Sequence, residues 1–304
     1  MECRDGLASL IPSMTTRLLR PALSLFAGSV FATGLFAQAP KVDFPAPSPA
    51  STLKQRAGLT DIEVNYSRPS MKGRKIFGTL EPYGAVWRTG ANTATKITFS
   101  TALKFGGTDV PAGSYALYSI PGVDEWTVIL NKATGQWGAY QYDAKNDVVR
   151  VKAKPVALTS PMETFTIGLT DLRDESATLY LAWEKALVPV KLEFDVTATL
   201  VPQIEAVMAS EEPKKPYVQA AMFYLDHNLD LKKAVEWMDA ALAAQPDAFY
   251  LVYRKALIQE KMGDKAGAIT TAQASMAAAV EKAPSPSLRD EYIRLNQALL
   301  DRLN

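Results

Sequence analysis

The residues best suited to chemistry fall between two strand-like stretches, in Ser67–Thr95. These 29 residues hold Arg68, Lys72, Arg74, Lys75 and Arg88 against the single acid Glu81, a local charge of +4. Guanidinium groups make forked bonds to carboxylate, phosphate or sulfate. Phe77, Tyr83 and Trp87 add aromatic planes, and Asn92 adds an amide that both donates and accepts. Arginine, ring and amide together suit an anionic or sugar-like ligand. Arg68, Arg74, Tyr83, Trp87, Arg88 and Asn92 therefore form the candidate binding set. A second reading stands beside it, in which the arginines pair with acids such as Asp61, Glu63 or Glu163 and pin the loop. Trp126, Trp137, Tyr140 and Tyr142 also admit two readings, a sugar-stacking face or core filling.

Catalytic constellations are scarce. His227 is the single histidine, so a Ser–His–Asp triad would have to use it, and no Gly-x-Ser-x-Gly accompanies it. Ser51-Thr52-Leu53-Lys54 matches the short Ser-x-x-Lys pattern but lacks its partner motifs. No phosphate-binding glycine loop or dinucleotide fingerprint follows a strand. One histidine and one cysteine cannot build a His- or Cys-rich metal site. No cofactor, metal ligand or catalytic residue is assigned. Paired carboxylates remain as an alternative chemistry, with Asp124, Glu125, Asp143, Asp147, Asp171, Asp174 and Glu175 available.

The elements that position these residues show two periods. From about Asp61 to Leu200 apolar residues alternate with polar ones, as in Ile62/Val64/Tyr66, Ile97/Phe99, Phe165/Ile167/Leu169 and Val188/Val190/Leu192. Alternation of this kind marks strands with one wet face. Shorter strands are expected at Tyr115–Ile120, Trp126–Asn131 and Val148–Lys152. Gly106-Gly107, Pro111-Ala112-Gly113 and Pro121-Gly122 supply turns. The pattern predicts an all-β antiparallel sandwich. From Pro202 the period becomes helical, with helices expected at Tyr217–His227, Leu231–Ala244, Ala248–Met262, Lys265–Lys282 and Leu288–Leu303. Asp230 and Asp264 are placed as N-caps. They lie 34 residues apart, as do Ala234 and Ala268, which is the tetratricopeptide spacing. Two degenerate repeats and a closing helix, or an unrelated helical bundle, fit this region.

One family is resembled across roughly residues 40–196. The carrying motifs include Val64-Asn65-Tyr66-Ser67-Arg68-Pro69, Lys72-Gly73-Arg74-Lys75-Ile76-Phe77-Gly78 and Trp87-Arg88-Thr89-Gly90-Ala91-Asn92. Pro111-Ala112-Gly113-Ser114-Tyr115, Trp126–Asn131 and Trp137-Gly138 continue the series. The chain resembles the family catalogued as domain of unknown function 2911, found in secreted bacterial proteins. That resemblance implies export and a β-rich domain, sometimes followed by a helical repeat tail. It implies no activity and carries no catalytic residues over.

The N-terminus points the same way. Arg17 and Arg20 precede an uncharged apolar stretch, Leu23–Ala37, which ends in small residues. This is the pattern of a secretory signal peptide over 1–37, the other reading being an uncleaved anchor. Removing it leaves no cysteine and no net charge, which suits an oxidising compartment. Residues 38–57, with Pro40, Pro45, Pro47 and Pro49, read as an extended linker. The sandwich is expected over 58–200 and the all-α domain over 201–304. The charge balance is +2 on 38–200 and −2 on 201–304, which excludes a general nucleic-acid binder. The expectation is an exported, periplasmic or extracellular, non-catalytic binding protein with no membrane span after cleavage. Its sandwich would take an anionic or glycan-like ligand, and its helical tail a protein or peptide. The alternative is a carboxylate-dependent hydrolase of cell-envelope polymers.

Overall fold

The computed structural model describes residues 43–303, so the signal segment expected at 1–37 lies outside the described residues. Two antiparallel sheets face each other. The first has six strands, β1 (Ala50–Ala57), β2 (Thr60–Ser67), β3 (Thr95–Phe99), β6 (Gly113–Ile120), β7 (Trp126–Asn131) and β8 (Asp147–Ala153), in the spatial order β1-β2-β3-β6-β7-β8. The second has four, β4 (Leu103–Phe105), β5 (Thr108–Val110), β9 (Val156–Thr170) and β10 (Ser176–Glu193), in the order β5-β4-β10-β9. Inward residues of both sheets, among them Ile62, Val64, Ile97, Leu117, Val128, Ile167, Leu181 and Val190, build one continuous core. The alternation that marked the strands thus sorts the side chains between core and solvent.

Six helices follow: α1 (Val196–Ala209), α2 (Tyr217–Asp226), α3 (Leu231–Ala244), α4 (Phe249–Met262), α5 (Lys265–Lys282) and α6 (Pro286–Leu303). Asp230 and Asp264 cap α3 and α5 as expected, accepting from the backbone amides of Lys232 and Lys233 and of Gly267. Each helix from α2 to α6 packs on its sequence neighbour. Ala234 and Ala268, 34 residues apart, are both fully buried at corresponding points of α3 and α5. A methyl group is all that fits where two helices approach closely. Among the described residues, no helix is long and apolar enough to cross a membrane.

Two expectations are corrected. The segment read as linker through residue 57 contains β1, which pairs with β2 along its whole length, from Ala50↔Ser67 to Ala57↔Thr60. It is an edge strand whose alternate positions are Thr52, Lys54 and Arg56, and only Leu53 and Ala57 meet the core. Charged edge strands resist further pairing but show little hydrophobic period. The boundary near residue 200 also moves. The last strand ends at Glu193, and α1 begins at Val196 under an Asp195 cap that accepts from the Ala198 amide. Pro202, read as a boundary, lies inside α1. Leu200 of this helix packs on the sandwich core, while Val201 and Ile204 pack on the helical core.

Candidate functional site

The connection between β2 and β3 stays irregular, yet it is anything but loose. Its backbone bridges Ser70 to Thr164 and Trp87 to Ser119. Since Ser119 belongs to the inward row of β6, Trp87 is carried into the sandwich and is 2% exposed. There it stacks on Trp183 at 5.8 Å and meets Phe77, Trp126 and Phe165 edge-on. Its indole Nε1 donates to Gly90 O at 3.0 Å. Gly90 sits at φ +147°, where a Cβ would lie 3.0 Å from Ser67 O. Trp87 is therefore a core residue, and the reading of it as a ligand ring is set aside.

The other five expected site residues do not converge on one set of partners. Arg68 donates from Nε to Phe165 O at 3.1 Å and from Nη2 to Thr166 Oγ1 at 2.7 Å, tying β2 to β9. Arg74 donates to Met71 O and Ser70 O and closes its own turn. Arg68 thus pins the loop to the sandwich while Arg74 does not, and the acceptors of both are uncharged oxygens and not the acids first considered. Arg88 leaves its buried Nε without a hydrogen-bond partner. Burial pushes the neighbouring Glu81 carboxyl up to about 7, against the pull of Arg88. Tyr83 is 46% exposed and lines a small pocket with Phe77, Trp126 and Lys185.

Asn92 leads elsewhere. It is exposed, and its Nδ2 donates to Ser67 Oγ at 3.2 Å. Its backbone oxygen accepts from Gly138 N at 3.0 Å, and Thr93 bridges to Trp137. Residues 132–146, between β7 and β8, are thus laid against the first loop. Gly138 has φ +70°, and a Cβ there would fall 2.7 Å from the Tyr140 ring, so the ring covers this glycine. Trp137 is 64% exposed and Tyr140 is 86% exposed. Backbone pairing thus brings Asn92 beside the segment that carries Trp137 and Tyr140, and both rings are exposed. Of the four aromatics that admitted a stacking reading, Trp126 is buried in the core and Tyr142 packs edge-on to Tyr118.

This second loop is held from beneath. The Tyr142 hydroxyl donates to Asp147 Oδ2 at 2.6 Å, and Arg150 donates to both. Asn131 Nδ2 reaches Asp147 Oδ1 and Asp143 O. Burial, reinforced by Asp147, pushes the Tyr142 phenol up to about 12. Tyr118 OH donates to Gln136 Oε1 at 2.9 Å. A loop pinned at both ends presents its rings without an ordering cost on binding.

Residues 48–192 match the family model described as protein of unknown function (DUF2911). The β domain matches that family. The DUF2911 match covers β2, β3 and both loops, and it ends one residue short of the end of β10. The six helices lie outside it. No curated protein and no solved structure matches the chain.

Three features were not singled out from sequence. Glu81 counted only as the lone acid of a basic loop. Glu184, at a bulge of β10 with φ +54°, accepts from the amides of Ile76 and Phe77. A cleft of about 960 Å³ lies where β4, β5 and β10 meet the start of α1, and it is lined by Lys104, Asp109, Glu175, Lys191, Glu193 and Asp195. Its four acids are engaged, with Lys104, Thr197, Lys191 and the Ala198 amide. No cluster of three or more His, Cys, Asp or Glu residues suited to a metal ion occurs among the described residues.

Proposed function

We propose that this chain is an exported, non-catalytic binding protein, periplasmic or extracellular, whose DUF2911 domain holds a glycan-like ligand on the surface of Asn92, Trp137 and Tyr140. The observation that carries the reading is the pair of exposed rings on a loop whose base is fully hydrogen-bonded. Sugar rings offer an apolar C–H face to an aromatic plane and hydroxyls to an amide. Exposed aromatic area of this kind marks interaction surfaces. The helical tail, tetratricopeptide-like in spacing, serves as the surface for a protein or peptide. Export is supported by the basic, apolar and small-residue order of residues 1–37.

The test is titration of the purified mature chain with neutral and acidic oligosaccharides, followed by tryptophan fluorescence and calorimetry. Tyr140→Ala and Trp137→Ala are expected to weaken binding by about tenfold or more, equivalent to roughly 1.4 kcal/mol. Unchanged affinity in both variants, or no binding to any glycan, defeats the reading. One observation favours the alternative, a carboxylate-dependent hydrolase: a Glu81 carboxyl held near neutrality is suited to donate a proton. Turnover of a glycan or ester that Glu81→Gln abolishes would replace the binding reading.

A further inference from the structure

A cavity of about 480 Å³ opens in the helical domain between the segment before α2, the end of α3 and the start of α4. Three cations border it, Lys214, Lys215 and Arg254, and none of its lining residues is acidic. Lys215 Nζ is occupied, donating to Met208 O at 2.6 Å. Lys214 and Arg254 have no hydrogen bond or ion pair with any described residue, whereas Lys233, Lys255 and Arg302 of the same domain each hold a carboxylate. The acids nearest in sequence do not line the cavity. Asp247 faces Lys282 at 3.8 Å, and Glu211 and Glu212 are not among the lining residues. Unpaired like charges around one cavity raise its potential and draw an anion to it.

The rest of the wall says what kind of anion. Ala241 and Leu251 give an apolar floor, Tyr217 and Tyr250 add ring faces, and Gln219 has a free side-chain amide. Tyr250 OH donates to Gln245 Oε1 at 3.1 Å, which leaves the Gln245 NH₂ for another acceptor. An amide that pairs with peptide groups, an apolar floor and cations from two separate elements match several residues of chain, not one small ion. The volume is many times that of a single phosphate or carboxylate group.

We propose that this cavity binds an acidic peptide segment of a partner protein, with Lys214 and Arg254 holding its carboxylates and Gln219 and Gln245 its backbone. This rests on the reading of the helical tail as a protein-binding surface and names the partner's chemistry and its seat. A fluorescent glutamate hexapeptide and its glutamine counterpart serve as probes against the full mature chain, read by anisotropy. The glutamate peptide is expected to bind at least about tenfold more tightly, with affinity falling as salt is raised. Lys214→Gln and Arg254→Gln should each weaken it about fivefold or more. Lys214 is exposed outside the helices, so its variant keeps the fold, and circular dichroism checks Arg254→Gln. Equal binding of the glutamine peptide, no binding, or indifference to both substitutions overturns the proposal. So does full displacement by equimolar inorganic phosphate, which would reduce the site to a small-anion pocket. Tyr140→Ala should leave peptide affinity untouched; peptide binding lost in that variant would move the site to the β domain and overturn it too. Glycan titrations in parallel separate failure of this site from failure of the β-domain reading.

Discussion

The two loops of the β domain invert what their compositions suggest. Residues 67–95 carry five basic residues and a tryptophan, yet Trp87 fills the core and Arg68 and Arg74 are consumed by backbone and hydroxyl oxygens. Residues 132–146 hold no arginine, yet they set Trp137 and Tyr140 in solvent. The difference lies in what each backbone pairs with. The first loop joins the inward row of β6 through Ser119, so alternation sends its tryptophan inside. The second is anchored through Tyr142 and Asp147 at its base, and its tip pairs with Asn92 and Thr93 and not with the inward row of a strand. Richness in ligand-like residues tells what a loop could bind; the register of its anchors tells what remains free to bind it.

The sharpest way to break this contrast is to truncate one ring from each loop. Trp87→Ala should cost about 3–5 kcal/mol, because it removes the centre of an aromatic cluster and leaves a cavity. Tyr140→Ala should stay within about 0.5 kcal/mol. Urea denaturation of both variants checks the pair, and a similar loss in each would erase the distinction. Arg68→Ala comes next. It forfeits two hydrogen bonds between β2 and β9 and should cost about 1–3 kcal/mol by the same measurement. A neutral result would return Arg68 to the set of residues available for a ligand.

The last prediction is a pH dependence. Glu81 in the folded chain titrates near 7, above its ordinary value of 4.5, so between these values the folded state holds a proton that the unfolded state has released. The stability linked to that proton is present in full below the ordinary value and is lost as pH rises through about 7. Thermal melts across this range should show the decline, and Glu81→Gln should flatten it. A stability that rises over the same interval in the parent chain, and equally in the variant, would remove Glu81 from consideration.

Much of the fold was legible because its period was strong. β7, α3 and α5 fall on the residues expected for them, since six buried positions, four of them apolar, or a capped alanine-rich run, leave little choice. β1 escaped because an edge strand with Lys54 and Arg56 buries little. α1 escaped because Pro202 argues against a helix interior, while Asp195 and the anchors Val196 and Leu200 outweigh it. The site was legible only in part. Asn92, Trp137 and Tyr140 were all noted, but in two separate groups, and nothing in the chain order joins them; the hydrogen bond from Gly138 to Asn92 does. Desolvation of Glu81 has no sequence signal at all.

The joint between the domains has a further consequence. Leu200 is packed into one core and Val201 into the other, and Phe223 of α2 touches both. His227 rests against Phe223 and places Nδ1 3.3 Å from Glu175 on the β9–β10 turn. Only Phe194 and Asp195 lie between β10 and α1, so the two halves are joined without a linker. A bivalent partner that reaches the aromatic surface and the cationic cavity together gains avidity only if its own span matches their separation. Lengthening a tether cannot help, because no tether exists to lengthen.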